Sequence, residues 1–363
     1  MVTPTPPAQH VVVTGGAGML GSTLIRRLLA DGHQVHCVDL REPGVRHERL
    51  ENSIADVRDP VAMKRALADA DALVHCAAAL PSYPEEQIRS IIVGGTESVM
   101  SAAASSALPR VVHISSTAVY GLPRTVPTTE EYPREPVDTY SAAKAEAEEV
   151  VERHRGGEMC LPILRPKTFL GPGRMGLFAM LFEWAEEGRH FPVLGRGDVR
   201  IQMFDVDDLV DAVLVALSAP PERADGTFNL GAAEFGTLRE DFQAVLDAAG
   251  HGKRVKSLPA RPALHTLRLL EATKLSPVYG RLMHKLLDDS YVSTDLAREQ
   301  LGFAPKYSNQ DAILRTYAWW REQRAAKAAS GAGRRGAGKR GGAGVTSVDA
   351  WSQGALSLAK FLF

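Results

Sequence analysis

The chain has 363 residues, 45% of them hydrophobic and 23% charged, enough for a substantial buried core and for two domains or one domain with a smaller lobe. A net charge of −1 gives no overall electrostatic pull toward nucleic acid. Cys37, Cys76 and Cys160 are far apart and show no metal-ligand spacing, so a reduced, cytoplasmic protein is expected rather than a disulfide-rich secreted one.

Residues 1–9 are rich in Pro and Thr and lack the basic and apolar segments of a signal peptide, so they read as a flexible N-terminus. His10–Thr14 is a β-branched run that ends in glycines and predicts a strand. Met19–Ala30 carries Leu20, Ile25, Leu28 and Leu29 at helical spacing, and Asp31 with Gly32 stops it. Further strands are predicted at 34–40, 72–79, 110–115, 161–165 and 226–230, and helices at 61–67, 88–107, 139–151 and 207–217. Strands alternating with helices indicate βαβ units, hence a doubly wound α/β fold with a parallel sheet. From about residue 171 helical pieces dominate, at 178–187, 238–248, 263–270 and 313–324. The domain reading is a dinucleotide-binding domain over 10–170, with 200–231 returning to it, and a smaller, mainly helical substrate lobe over 171–199 and 232–324. Residues 325–345 are Gly, Ala, Arg and Lys in low-complexity order, and 325–363 is expected to be a disordered tail. Its apolar end, Leu356 to Phe363, reads as a sticky terminus or a weak docking helix. No run is long and apolar enough to suggest a membrane helix.

Gly15, Gly18 and Gly21 form G-x-x-G-x-x-G between a strand and a helix. Glycine is needed there because the chain turns tightly and a pyrophosphate must approach the backbone closely. The helix N-terminus at Met19 and Leu20 adds free N–H groups and a partial positive charge. Asp39 ends the next strand, where an acid bonds the adenosine ribose hydroxyls and repels a 2′-phosphate, favouring NAD over NADP. Asp56 and Val57 follow at a distance suited to the adenine, although a capping or surface Asp fits equally well.

Tyr140 and Lys144 stand at i and i+4, on one helix face. An ammonium beside a phenol favours the phenolate. Tyr140 is therefore a candidate to move the proton of a substrate hydroxyl during hydride transfer. Ser115, Ser116 and Thr117 end the fourth predicted strand, at the carboxyl edge where open α/β sheets bind ligands. The histidines His75, His113 and His190 lack clustered ligand spacing, and no metal is expected.

With these motifs in this order, the chain resembles the extended short-chain dehydrogenase/reductases, in their NAD-dependent epimerase/dehydratase branch, of which UDP-glucose 4-epimerase is an example. Segments carrying the resemblance include Thr14 to Gly21, His75-Cys76-Ala77-Ala78, Ile114 to Gly121, Tyr140 to Lys144, Ile163-Leu164-Arg165-Pro166, Val206 to Leu209, Phe228 to Gly231 and Leu301-Gly302-Phe303. The resemblance implies a Rossmann domain with bound NAD, a catalytic set of Ser116, Tyr140 and Lys144, and a homodimer. It also implies that Ala77 and Ala78 line the cofactor, that Pro166 borders the nicotinamide and that Lys144 holds the nicotinamide ribose.

The family's 4,6-dehydratases carry an Asp-Glu pair after the active-site hydroxyl; Thr117 and Ala118 stand there, which disfavours dehydration. Arg200 falls where many members place an arginine on the nucleotide diphosphate, though a surface arginine reads equally well. Thr168 and Ile92 stand where the family has asparagines, and Asp205 where it often has His or Tyr. The expected activity is that of an NAD-dependent nucleotide-sugar 4-epimerase, with Ser116, Thr117, Thr168 and Arg200 on the substrate. The alternative is an alcohol dehydrogenase or ketoreductase of the 3β-hydroxysteroid dehydrogenase type on a lipophilic substrate, suggested by Thr168, Ile92 and the apolar, basic stretch 255–287.

Overall fold

The computed structural model describes residues 8–173, 178–259 and 287–329. Eleven strands occur among them: β1 His10–Thr14, β2 Gln34–Asp39, β3 Leu50–Ile54, β4 Ala72–His75, β5 Val111–Ile114, β6 Ile163–Pro166, β7 Phe169–Leu170, β8 Phe191–Leu194, β9 Phe204–Asp205, β10 Thr227–Leu230 and β11 Val255–Leu258. The helices are α1 Met19–Ala30, α2 Pro60–Ala66, α3 Glu85–Arg89, α4 Gly95–Ser105, α5 Thr139–Glu152, α6 Phe178–Glu186, α7 Val206–Ser218, α8 Pro221–Ala224 and α9 Leu238–Ala249, with a last one over Asn309–Ala329. No described helix is long and apolar enough to cross a membrane.

Contacts divide the described residues into two compact units: residues 8–169, 204–233 and 291–306 form one, and residues 170–173, 178–203, 234–259, 287–290 and 307–329 the other. The first unit holds a parallel sheet of seven strands in the order β10-β6-β5-β4-β1-β2-β3. Its central strands are apolar on both faces, as a sheet covered on both sides requires: Val11, Val12, Val13, Leu73, Val74, Val111 and Val112 are fully buried. On one face α1 and α7 pack through Leu24, Ile25, Leu28, Leu209 and Val213. On the other, α2, α4 and α5 pack through Met63, Val99, Met100, Val150 and Val151. From β1 the chain runs outward to β2 and β3, then returns to place β4 on the other side of β1. The carboxyl ends of β1 and β4 thus flank the point where strand order reverses, the crevice in which such sheets bind ligands.

The second unit is built from α6, α9, the Asn309–Ala329 helix and a two-stranded parallel pair of β8 with β11. Phe182, Trp184, Val245, Leu246, Tyr317 and Trp320 form its core, with the Phe182 and Tyr317 rings 5.2 Å apart.

Several details correct the sequence reading. The strand predicted at 72–79 ends at His75; Cys76 N still donates to the Thr14 carbonyl at 3.1 Å, and residues 77–80 have no strand pairing. The helix predicted at 88–107 is three pieces, α3, a π-turn over Ser90–Gly94 and α4. Strand β3 escapes a pattern search, since Leu50–Ile54 is an edge strand of mostly exposed residues with no apolar alternation. Residues 325–329, read as disordered, continue the last helix to Ala329. Tyr291 to Lys306, assigned to the lobe, groups with the first unit: Ala297, Leu301 and Phe303 are buried in its core, and Phe303 meets the Phe204 ring edge-on at 6.2 Å. The predicted helix at 263–270 and the rest of the tail lie outside the described residues.

Candidate active site

The loop between β1 and α1 is made by glycines that no larger residue can replace. Gly15 has a φ of +69°, and a Cβ there would stand 2.7 Å from both Cα and N of Ala77. At Gly21 a Cβ would lie closer still to the Gly15 carbonyl. Gly18 is the N-cap of α1 and provides no capping side chain, so the first amides of the helix, at Met19, Leu20 and Gly21, open onto the loop. The site thus has the backbone cradle that a pyrophosphate needs. Beside it, the half-buried Asp39 carboxylate accepts from Ala17 N at 3.0 Å and from Arg41 N at 3.1 Å, which ties the acid to the phosphate loop. Gly16 has a role the sequence reading missed: its Cα packs so tightly on β2 and α1 that an added Cβ would clash with Cys37 Sγ and lie 2.8 Å from Ile25 Cδ1.

Ser116 follows the last residues of β5 and caps a 3₁₀ turn over Thr117–Tyr120, its Oγ accepting from Ala118 N at 3.1 Å. Tyr140 lies in the first turn of α5, fixed by a reciprocal cap in which Asp138 accepts from Ser141 N and Ser141 Oγ accepts from Asp138 N. Its ring packs against Ala79, Ile88, Ile92, Ala143 and Ala147. One turn on, the buried Lys144 donates from Nζ to the Ile114 carbonyl at 2.8 Å. Burial draws the Lys144 ammonium down to about 8, against the favourable influence of Cys76 and Glu148. Lys144 is therefore tied to the strand end that leads into Ser116, and its charge titrates in an accessible range.

Behind Lys144 lies a buried polar network that the sequence reading did not identify. Glu148, fully buried on α5, accepts from Ser115 Oγ and from a side-on fork of Arg165, Nε at 2.9 Å and Nη2 at 2.5 Å. Arg165 Nη1 donates to Tyr120 OH at 2.8 Å, and Tyr120 OH donates to Asn229 Oδ1 at 2.8 Å. Burial opposes the Arg165 charge, but the Glu148 carboxylate more than compensates and raises its pKa. Arg134 bridges Glu148 at 3.2 Å and Glu152 at 3.0 Å. A signal was present in the sequence, since Glu148 stands at i+4 from Lys144 as Lys144 does from Tyr140.

The remaining candidates are spread more widely. Asp56 accepts from the backbone N of Arg58 and from its guanidinium, whose hydrogen bond holds the carboxyl below its usual range. Val57 is buried against Gly95 of α4, where a Cβ would be 2.8 Å from its Cγ2. Pro166 ends β6, and Thr117 Oγ1 donates to its carbonyl at 3.4 Å. Ala77 is half-buried, while Ala78 and Thr168 are exposed. Ile92 is buried in the apolar cluster around Tyr140, and Asp205 caps α7 through Asp207 N at 2.8 Å. Arg200 belongs to the second unit, where its guanidinium lies 4.7 Å from the Phe235 ring centre and its backbone N donates to Asp289.

A seven-stranded parallel sheet, a glycine cradle with an acid on the next strand, and a Tyr-x-x-x-Lys helix beside a strand-end serine define a Rossmann-type short-chain dehydrogenase/reductase. A profile of the NAD dependent epimerase/dehydratase family matches residues 11–231, and the chain belongs to that family. Its dinucleotide is accordingly NAD, and the loop geometry fits it. The chain is 36% identical over 333 residues to an uncharacterized protein, y4nG, of Sinorhizobium fredii, covering 89% of this chain and 81% of that one. It is 31% identical over 338 residues to the UDP-glucose 4-epimerase of Mycolicibacterium smegmatis, covering 86% and 99%. Among solved structures, the UDP-glucuronic acid 4-epimerase of Bacillus cereus in complex with NAD has the same fold, with a TM-score of 0.71 at 19% identity over 86% of this chain and 99% of that one.

Proposed function

We propose that the protein is a nucleotide-sugar 4-epimerase, oxidising a sugar hydroxyl carbon and returning the hydride to the other face of the transient ketone. The observation that carries the reading is the placement of Tyr140 on the turn of α5 that precedes Lys144, with Lys144 bonded to the β5 end leading into Ser116. Similarity to a UDP-glucose 4-epimerase over nearly its full length supports the substrate class. NAD, when bound, supplies the hydride acceptor and donor. In this reading Met19, Leu20 and Gly21 offer their amides to its pyrophosphate, Asp39 takes the adenosine ribose, and Ala77, Ala78 and Pro166 wall the cleft. Tyr140 removes the proton from the sugar hydroxyl at its phenol oxygen, and Ser116 donates to the same substrate oxygen. The Lys144 ammonium favours the phenolate and bonds the nicotinamide ribose. Thr117 and Ala118 provide no acid or base, so no elimination accompanies the redox step. Arg200 carries the charge and planar fork suited to a diphosphate.

The test is interconversion of UDP-glucose and UDP-galactose, and of the corresponding pentoses, with the cofactor retained through turnover. An absence of both turnover and thermal stabilisation across UDP- and dTDP-sugars would overturn the reading. A net alcohol dehydrogenase or ketoreductase is the second reading. It is favoured by Ile92, buried with Ala79 and Ile88 against the Tyr140 ring where the resemblance leads one to expect an asparagine. It requires stoichiometric formation or consumption of NADH. A homodimer is proposed from the family resemblance and is checked by light scattering.

A further inference from the structure

Two successive residues at the end of β5 are tied to two successive turns of α5. The Ile114 carbonyl accepts from Lys144 Nζ at 2.8 Å, and the Ser115 hydroxyl donates to Glu148. Ser116 is the next residue, so the strand enters the catalytic segment directly from these ties. Glu148 is in turn gripped by Arg165 of β6 through two parallel bonds, a geometry that fixes direction as well as distance. Arg165 reaches on to Tyr120, in the turn that Ser116 caps.

We propose that Glu148 is a positioning residue: it locks α5 to the ends of β5 and β6 so that Lys144 and Ser116 are held in place, and it sets a carboxylate one helical turn from the Lys144 ammonium. The inference rests on the reading of Lys144 as the catalytic cation.

The groups around Lys144 leave Glu148 in that role. His75 of β4 and His113 of β5 are both buried and neutral, since burial draws His75 down to about 3 and His113 well below its ordinary value. Cys76 favours the Lys144 charge only as a thiolate, and burial pushes its thiol up to about 12, so near neutral pH it is uncharged and Glu148 is the other favourable group. Glu148 is ion-paired on its other side with Arg165 at 2.5 Å and with Arg134 at 3.2 Å. Removing the Glu148 charge thus takes away the anion that opposes the desolvation of Lys144.

The experiment reads Lys144 directly, without a substrate. The Cε resonances of 13C-lysine-labelled protein are titrated by NMR, with Lys144 assigned through Lys144→Arg. In Glu148→Gln, which keeps shape and an acceptor for Ser115, the Lys144 midpoint is expected to fall from about 8 by about one pH unit or more, a tenfold loss of proton affinity. Because Glu148→Gln leaves Arg165 buried without its carboxylate, the double variant Glu148→Gln/Arg165→Met is run beside it; a neutral pair of similar volume is tolerated where a broken pair is not. Ser115→Ala, which keeps every charge, is expected to leave the midpoint unmoved. A folded variant without the Glu148 charge in which Lys144 titrates at the wild-type pH would overturn the inference. So would a Ser115→Ala midpoint shifted as far as that of Glu148→Gln. Failure of every sugar nucleotide to turn over would count against the proposed activity and would not move this measurement.

Discussion

Gly15 and Ala77 approach so closely that a methyl group on Gly15 would stand 2.7 Å from the Ala77 backbone. The contact joins the loop after β1 to the second residue after β4, at the point where strand order reverses. Gly15→Ala has to strain a φ of +69° and push this backbone aside. NAD affinity is expected to fall at least about tenfold, a cost of about 1.4 kcal/mol or more, measured by calorimetry. Unchanged affinity would show that the loop does not hold the cofactor this way.

Tyr140→Phe keeps the ring and its packing on Ile88 and Ile92 and removes only the hydroxyl. Turnover is expected to drop about 10²- to 10⁴-fold, the range of a lost general acid–base group, with NAD binding largely retained. Unchanged turnover would remove Tyr140 from the mechanism.

The pH dependence of turnover follows from Lys144. Burial brings its ammonium down to about 8, so the cation is present below that pH and lost above it. Turnover is expected to decline on an alkaline limb centred near pH 8, measured as kcat from pH 6 to 10. A plateau extending to pH 10 would contradict the role given to the charge.

Acid stability is expected to be limited by two histidines. His75 is buried between Thr14 Oγ1 at 2.7 Å and Thr96 Oγ1 at 3.2 Å, and burial lowers it to about 3. The unfolded chain, with an ordinary histidine near 6.5, takes up a proton that the folded chain refuses. The stabilising effect of the neutral ring is therefore complete above about pH 6.5 and is lost at about 1.4 kcal/mol per pH unit as the pH falls toward 3. His113 acts in the same direction, and neither of its buried ring nitrogens has a hydrogen-bond partner among the described residues. His113→Leu is expected to flatten the fall of Tm between pH 7 and pH 5, read by calorimetry; an equally steep fall would refute this account.

The parts of the protein legible in the sequence are those written in local pattern. The β1 loop and α1 show a glycine triplet followed by an apolar stripe, and Tyr140 and Lys144 share a helix face by simple periodicity. What escaped depends on partners distant in sequence. Glu148 meets Ser115 from 33 residues away, and Tyr120 meets Asn229 across 109. A charged residue amid the Ala- and Glu-rich helix at 139–151 carries the pattern of a solvated face, yet Glu148 is fully buried. The edge strand β3 escaped for the opposite reason, because an exposed strand needs no apolar alternation. Arg200 matches a family position, but its observed partners, Phe235 and Asp289, are set by the fold of its own unit.

The return of Tyr291 to Lys306 to the first unit has a consequence for engineering. The chain passes between units after residues 169, 203, 233, 290 and 306, so neither unit is one continuous stretch. A fragment ending at 169 would lack the border strand β10 and the buried Phe303, and a graft that replaces the second unit must respect five splice points rather than one.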